Sequence, residues 1–177
     1  MLNDIERVLL SEEQLKEGVE RLGKQIAEEY AGKDPVFIGI LKGVVVYFAD
    51  MIRATPIPCE IDFMVVSSYG KGTSSGTLLM KKDVSIDIRG RHVVILEDIL
   101  DTGRTLSHVI DHLKAKGPAS LKICTMLDKP ARREVEIKAD YVGFTIPNEF
   151  VVGYGLDYAE HYRNLPFVGV LKPEIYS

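Results

Sequence analysis

The sequence has little cysteine, no tryptophan, no long apolar run and no basic block. Its two cysteines, Cys59 and Cys124, lie near predicted strands, and neither has a second cysteine or a histidine at a spacing typical of metal ligands. Buried free thiols are therefore the favoured interpretation. No apolar run is long enough to cross a membrane, and the N-terminus lacks the basic-then-apolar order of a signal peptide. We therefore expect a cytoplasmic protein.

Charge and length narrow the class of protein further. The net charge of -4 at pH 7 argues against broad nucleic-acid binding. His108 and His112 stand four residues apart on a predicted helix and could bind a metal, but a solvated helix face explains them better. A chain of 177 residues, 46% of them hydrophobic, fits a single globular domain covering residues 1–177.

Strand-like and helical segments alternate along the chain. Ser11 and Gln14 form a capping box at the start of a helix that runs out near Ala31-Gly32. Two further helices are predicted over residues 44–54 and 104–116. Apolar strand-like segments cover residues 36–40, 61–67, 93–96, 123–127 and 141–145. This alternation predicts an α/β fold in which helices cover both faces of a central, mostly parallel sheet.

Two other regions have a distinct composition. The segment from Tyr69 to Gly76 has three glycines and small polar residues, and it lies between residues 61–67 and 77–82. It predicts a long mobile loop between the arms of a hairpin. From Pro147 onward the chain is rich in glycine, proline and aromatic residues, which predicts short strands in a small cap over the sheet.

The most informative segment begins with the buried strand at residues 93–96. Glu97 and Asp98 come next, and then a turn that starts at Asp101 and leads into a helix. Ligands bind at the carboxyl ends of strands in open α/β sheets, and backbone N–H groups at a helix N-terminus bind phosphate. The two acids could hold sugar hydroxyls or Mg²⁺. On spacing alone, a plain strand–turn–helix with Asp101 as N-cap is an equally good interpretation.

The segment from Glu97 to Thr105 resembles the phosphoribosyl-pyrophosphate signature of type I phosphoribosyltransferases, and in particular their hypoxanthine-guanine branch. Four further segments resemble the same family in the same order: Leu41-Lys42-Gly43, Ser68-Tyr69, residues 128–133, and residues 150–158 followed by Arg163. The resemblance implies a five-stranded, mostly parallel sheet with a flexible hairpin loop. It also implies a small hood subdomain, formed by the N-terminal helix region and residues of about 147–177.

The resemblance implies a Mg²⁺-dependent transfer of the 5-phosphoribosyl group from 5-phosphoribosyl 1-pyrophosphate to hypoxanthine and guanine, giving IMP or GMP and pyrophosphate. Asp101 would be the general base beside N7 of the purine, and a cis peptide is implied between Leu41 and Lys42. The other implied roles are phosphoribosyl binding by Glu97, Asp98, Thr102, Gly103, Arg104 and Thr105, pyrophosphate binding by Lys42, Gly43, Arg163, Ser68 and Tyr69, purine binding by Lys129, Phe150, Val151, Ile99 and Asp157, and Mg²⁺ binding by Glu97, Asp98 and Asp157.

Several of these residues have an ordinary explanation when each is taken alone. Lys129 would be a surface lysine, Phe150 a core residue and Asp157 a turn residue, while Arg132 and Arg133 are interpreted as solvated charges. A lysine is a hydrogen-bond donor without an acceptor, so at the implied position Lys129 would favour a 6-oxo purine over adenine.

Three alternatives remain open at this point. The first is a non-catalytic nucleotide sensor on the same fold, and the second is an enzyme preferring another 6-oxo purine such as xanthine. The third is a receiver-like signalling domain, which an acidic pair and a strand-end lysine would also fit. No acceptor aspartate follows the strand at residues 36–40, which places this interpretation last. The resemblance also implies a homodimer or homotetramer.

Overall fold

The computed structural model describes residues 1–68 and 78–177, and it describes the side chains of all of these except Ser68 and Leu78. The predicted roles of Tyr69 and of the Ser68 side chain, and the predicted loop from Tyr69 to Gly76, lie outside the described part of the chain. None of the described helices combines the length and the apolar character that crossing a bilayer requires.

Nine strands and four helices make up the described residues. In chain order they are β1 (Ile5–Leu10), α1 (Glu12–Glu29), β2 (Val36–Leu41), α2 (Val45–Ala54), β3 (Glu60–Ser68), β4 (Leu78–Lys82), β5 (His92–Leu100), α3 (Arg104–Lys114), β6 (Ser120–Asp128), β7 (Tyr141–Thr145), β8 (Val151–Val152), β9 (Val168–Leu171) and α4 (Pro173–Tyr176). Single 3₁₀ turns at Leu2–Asp4 and Pro130–Arg132 complete the list.

The main sheet has the strand order β4-β3-β2-β5-β6-β7. The five strands from β3 to β7 in this order run parallel, which confirms the predicted parallel sheet. β4 is a sixth strand, added antiparallel to β3 as the returning arm of the predicted hairpin. The boundaries of two strands were wrong by several residues: β6 begins at Ser120 rather than at Ile123, and β5 does not end before Glu97 but continues to Leu100. The acidic pair therefore lies within the strand, and its backbone is fixed by pairing with β6.

Helices cover both faces of this sheet because successive strand residues point to opposite sides. On β5, Val94 and Leu96 join the cluster that contains the buried faces of α1 and α2. Val93 and Ile95 join the cluster that contains the buried face of α3. The capping box of α1 is confirmed, since the side chains of Ser11 and Gln14 each accept from the other's backbone N–H.

A second sheet joins the two ends of the chain. Its three antiparallel strands have the order β1-β9-β8, so that Ile5 pairs with Leu171 and Val152 pairs with Gly169. β1 was not predicted as a strand. α1 contacts α2, β6 and β7 and thus packs on the main sheet. This sheet positions the residues that follow β8, which form one side of the site described next.

Candidate active site

Two adjoining cavities lie where the parallel strands of the main sheet reach their carboxyl ends, which is the usual ligand position in such sheets. Their volumes are about 370 Å³ and about 210 Å³. Of the predicted site residues whose side chains the structure describes, all but Arg104 line these cavities. The shared lining residues are Ile40, Glu97, Ile99 and Asp101.

Two larger cavities lie elsewhere, one of about 480 Å³ between α1 and α2 and one of about 630 Å³ beside β7. Neither contains a predicted site residue. Volume alone would favour these two cavities as the ligand site, but the distribution of unpaired polar atoms does not. Among the described residues, four buried side-chain atoms have no hydrogen-bond partner, and three belong to residues that line the 370 Å³ cavity: Glu97 Oε2, Asp101 Oδ1 and Arg163 Nε. Buried polar groups are normally satisfied, so such a concentration indicates a ligand site.

Residues 97–105, which we call the acidic wall, form one side of the cavities. The backbone N–H of Ile99 donates to Asp98 at 2.8 Å, which fixes that carboxylate. Burial raises the pKa of Glu97 well above its ordinary value, and the neighbouring Asp98 carboxylate raises it further. Burial also raises the pKa of Asp98. Two acids that are costly to ionise in the chain alone are poised to receive a cation or hydroxyl donors.

The turn from Asp101 to Thr105 is supported from behind by residues 133–137. Gly103 has a positive φ of 81° and begins α3. A Cβ atom at this glycine would lie 2.6 Å from Ile137, so the close approach and the left-handed conformation both require glycine. Glu134 donates its backbone N–H to the carbonyl of Thr102 at 3.0 Å. The turn thus offers a fixed helix N-terminus, which is a ready anion site.

Arg133 holds this turn in place, contrary to its interpretation as a solvated charge. Its side chain is only 15% exposed and forms an ion pair with Asp128. Its guanidinium also donates to the carbonyls of Asp101 at 3.0 Å and Ile137 at 3.1 Å. Arg132 is exposed, but its Nε lies 3.5 Å from Asp101 Oδ1 and its side chain lines the cavity. Arg104 turns away and pairs with Glu134 outside both cavities.

The loop after β2 approaches the acidic wall. The peptide bond between Leu41 and Lys42 is cis, as the family resemblance implies. A Cβ atom at Gly43 would lie 1.9 Å from Asp98 Oδ2, so only glycine lets this backbone pass the carboxylate. The backbone of the loop is thereby brought against Asp98, while the Lys42 side chain extends toward solvent.

Residues 150–163, which we call the C-terminal wall, form the opposite side. Phe150 lines the 370 Å³ cavity, and Lys129, at the end of β6, lies beside it. Lys129 is 5% exposed and donates to the carbonyl of Glu149 at 2.9 Å. Burial lowers its pKa, which the Asp101 carboxylate partly offsets. Lys129 is therefore a buried donor rather than the surface lysine that it would be when taken alone.

Phe150 is backed by a tyrosine that the sequence did not indicate. The rings of Phe150 and Tyr176 are stacked, with centroids 4.7 Å apart and an interplanar angle of 21°. Tyr158 meets Phe150 edge-on at 5.7 Å. Neither tyrosine lines the cavity, whereas Phe150 does, so the stacked ring covers the side of Phe150 that faces away from the cavity. The side toward the cavity remains available for a planar ligand.

The charged residues of the C-terminal wall are already paired. Arg163 NH1 lies 3.0 Å from Asp157 Oδ1 and donates to the carbonyl of Gly155 at 2.9 Å. Glu160 accepts from Lys42 Nζ at 3.0 Å and lies 3.4 Å from Arg163 NH2. Glu160 could not be recognised from the sequence, because nothing in its local pattern distinguishes it from an exposed turn residue.

The two acids at the centre of the acidic wall fit a divalent cation. Glu97 Oε2 is buried without a hydrogen-bond partner, and its neighbour Asp98 could supply a second hard oxygen ligand. Within residues 1–68 and 78–177, no three Asp, Glu, His or Cys side chains gather into a metal-binding group. Two carboxylates suit Mg²⁺, which keeps several waters and is commonly shared between one or two carboxylates and substrate phosphates.

Comparison with known proteins gives a consistent picture. The family model described as "Phosphoribosyl transferase domain" matches residues 9–159. A hypoxanthine-guanine phosphoribosyltransferase of Streptococcus pneumoniae strain R6 is 55% identical over 176 residues, which cover 99% of this chain and 98% of that protein. The bifunctional protein TilS/HprT of Listeria monocytogenes serotype 4b is 54% identical over the whole chain, which spans only 28% of that relative's length.

The similarity extends to solved structures. The crystal structure of a hypoxanthine phosphoribosyltransferase from Staphylococcus aureus superposes with a TM-score of 0.96 at 48% sequence identity. The match covers 100% of this chain and 97% of that one. Fold and sequence therefore agree over the full length of the described chain.

Proposed function

Because the chain belongs to the phosphoribosyltransferase family, we propose that its paired cavities transfer a 5-phosphoribosyl group from 5-phosphoribosyl 1-pyrophosphate to hypoxanthine or guanine. The products are IMP or GMP and pyrophosphate, so the reaction belongs to purine salvage. The observation that carries this proposal is the set of buried, unpartnered atoms of Glu97, Asp101 and Arg163 around one cavity. Each of these three residues thus keeps one buried polar atom without a hydrogen bond and lines the same cavity.

The purine lies between Phe150 and Ile99, both of which line the cavity. Lys129 donates to the 6-oxo group, and adenine, whose 6-amino group is itself a donor, leaves the lysine unpaired. The backbone of Val151 reads the edge of the base. Asp101 accepts the proton from N7, since its Oδ1 has no hydrogen-bond partner among the described residues.

The sugar phosphate lies along the acidic wall. Backbone N–H groups and hydroxyls of Thr102 to Thr105 bind the 5′-phosphate at the N-terminus of α3. Glu97 and Asp98 hold the ribose hydroxyls and a Mg²⁺ ion, with Asp157 available to a second ion on the other side. When bound, the metal neutralises charge that develops on the leaving pyrophosphate.

The leaving pyrophosphate lies between the two walls. Lys42, Gly43 and Arg163 bind it, because they line the same cavity as the acids that would hold the metal. The second sheet, with residues of about 147–177, is the hood that covers the base. The enzyme assembles as a homodimer or homotetramer.

The test is an activity assay on each base. The protein is mixed with Mg²⁺, 5-phosphoribosyl 1-pyrophosphate and hypoxanthine, guanine, xanthine or adenine, and nucleotide absorbance is followed. We expect turnover with hypoxanthine and guanine and none with adenine. Binding without turnover would instead support a nucleotide sensor, and preferential turnover of xanthine would support the alternative 6-oxo purine. No turnover and no binding with any base would overturn the proposal.

A further inference from the structure

One exposed carboxylate contacts both cations that are proposed to bind pyrophosphate. Glu160 Oε2 lies 3.0 Å from Lys42 Nζ and 3.4 Å from Arg163 NH2. These contacts, that of Lys42 first, hold the pKa of Glu160 below its ordinary value. A single carboxylate oxygen thus occupies the place between the loop after β2 and the C-terminal wall where an anionic ligand would contact the same two groups.

Arg163 does not need Glu160 for its position. Its NH1 donates to the carbonyl of Gly155 at 2.9 Å and lies 3.0 Å from Asp157 Oδ1. Lys42 differs, because its side chain is 68% exposed and Glu160 is its one ion-pair partner within the described chain. The carboxylate therefore neutralises two groups without being required to orient the guanidinium.

The backbone at Glu160 is held in an unfavourable conformation. Residues 158–161 form a turn in which Ala159 has a φ of 50° and Glu160 a φ of 65°. Two successive left-handed residues are typical of type I′ turns, where glycine and asparagine predominate. The turn is fixed by the backbone N–H of Glu160, which donates to Asp157 Oδ2 at 2.9 Å. A charged residue at a strained position is a reason to look for a function.

We propose that Glu160 is an internal competitor of pyrophosphate: its carboxylate occupies Lys42 and Arg163 until the diphosphate displaces it. This inference rests on the proposed function and adds the residue that sets the affinity for the diphosphate. Glu160 weakens the binding of pyrophosphate in two ways, because the ligand must break existing ion pairs and must then lie near a displaced negative charge. When pyrophosphate leaves, the carboxylate returns to both cations and so favours release.

A positioning role for Glu160 predicts the opposite change in the affinity for pyrophosphate. If Glu160 instead positioned Lys42 and Arg163 for the ligand, its removal would weaken pyrophosphate binding. The sign of the change in affinity therefore decides between competition and positioning. The expected change in the Kd for pyrophosphate is modest, since each exposed ion pair corresponds to about a two- to fivefold effect on an equilibrium constant.

The experiment is a calorimetric titration of full-length protein with pyrophosphate in the presence of Mg²⁺. For Glu160→Gln we expect a Kd about three- to tenfold lower than for the unsubstituted protein. Glu160→Asn should behave alike and be no less stable, because asparagine tolerates the left-handed conformation. Glu17→Gln removes the same charge from an exposed position of α1 and should leave the Kd unchanged. Raising the ionic strength should shrink the difference between Glu160→Gln and the unsubstituted protein.

Steady-state kinetics provides the second readout. The KM for 5-phosphoribosyl 1-pyrophosphate should fall in both Glu160 variants, while the KM for hypoxanthine stays the same. An unchanged or raised Kd for pyrophosphate in both variants would overturn the competitor role. If the unsubstituted protein still turned over hypoxanthine, the proposed function would remain intact. A lack of both turnover and pyrophosphate binding in the unsubstituted protein would overturn the proposed function itself.

Discussion

The acidic wall and the C-terminal wall line the same cavity but differ in how their carboxylates are paired. In the acidic wall, Glu97 and Asp101 each have a buried oxygen without a hydrogen-bond partner, and burial raises the pKa of Glu97. In the C-terminal wall, Asp157 and Glu160 form ion pairs with cations of the chain itself. The acids of the acidic wall thus keep a buried oxygen without a hydrogen bond, although Asp101 also lies 3.5 Å from Arg132, whereas the acids of the C-terminal wall are satisfied until a ligand competes.

This difference has an energetic meaning. A buried, unpaired carboxylate reduces the stability of the folded chain, and such a cost is retained where it serves binding or catalysis. Exposed ion pairs contribute little to stability and can exchange for a ligand with little loss. Changes in the acidic wall should therefore affect kcat and stability, whereas changes in the C-terminal wall should mainly affect KM. The following predictions test that division, beginning with the largest effect.

Asp101→Asn should lower kcat by about 10²–10⁴-fold, because the amide cannot accept the purine proton as a general base. The measurement is steady-state turnover of hypoxanthine at saturating substrates. Asp111→Asn is the matched control, since Asp111 is an exposed aspartate of α3 that lines neither cavity of the site. Full turnover by the Asp101→Asn variant would show that Asp101 is not the general base. It would also contradict the expectation that changes in the acidic wall affect kcat.

Lys129→Met should lower kcat/KM for hypoxanthine by about 5- to 100-fold, the range expected when a buried hydrogen bond to the substrate is lost. Methionine keeps an apolar stem of similar length, so the change isolates the ammonium group. The kcat/KM for adenine should not fall, and the discrimination between the two bases should shrink. Lys138→Met, at an exposed position, is the control. Intact rejection of adenine would mean that another group reads the 6-position.

Tyr176→Leu should raise the KM for hypoxanthine by about 2- to 10-fold, which corresponds to the loss of one aromatic pair. The reason is that Tyr176 stacks on Phe150 from the side away from the cavity and fixes the ring that receives the base. The KM for 5-phosphoribosyl 1-pyrophosphate and kcat should not change. Tyr176→Phe keeps the stack and should behave like the unsubstituted protein. An equal rise in both KM values would point to a general loss of folding rather than to the base-binding ring.

Glu97→Gln should raise Tm at pH 8 in metal-free buffer, by about 2–4 °C for each kcal/mol recovered. The folded-state pKa of Glu97 is raised, so between the unfolded pKa of about 4.3 and that higher value the folded chain binds more protons. The free energy of unfolding therefore falls as pH rises through this window, and glutamine removes that loss. The gain in Tm should disappear near pH 4.

Asp157→Asn provides the contrast for this measurement. It breaks an ion pair with a half-buried arginine, so Tm should stay the same or fall at pH 8. A rise in Tm for both variants would show that the two walls do not differ in the way that their charges are satisfied. A fall in Tm for Glu97→Gln would show that Glu97 stabilises the folded chain.

The main sheet could be predicted from the sequence because its strands are short apolar runs separated by helices with clear periodicity. All five parallel strands lie where those runs do, and the Ser11 cap follows from local chemistry alone. β1 could not be predicted in this way. Its partner β9 is more than 150 residues away, and half of its side chains are exposed, so neither alternation nor apolarity identifies it.

The site was predictable in a different sense. Local rules left the turn at Asp101 undecided between a phosphate site and a plain N-cap, and only the resemblance to a family joined it to Lys129 and the C-terminal segment. The roles of three residues could not be predicted, because only tertiary packing brings their partners near. Arg133 contacts backbone carbonyls, Glu160 contacts cations, and Tyr176 stacks on the ring of Phe150. A sequence pattern reveals spacing within one element, not such encounters.

The second sheet has a consequence for how the chain is made. β9 lies between β1 and β8, so this sheet cannot form until residues near 171 have left the ribosome. All strands of the main sheet and the Asp101 turn precede β8 and β9 in the chain, so they are synthesised earlier. On the proposed function, the residues that bind the phosphate are therefore synthesised before the strands that complete the site for the base.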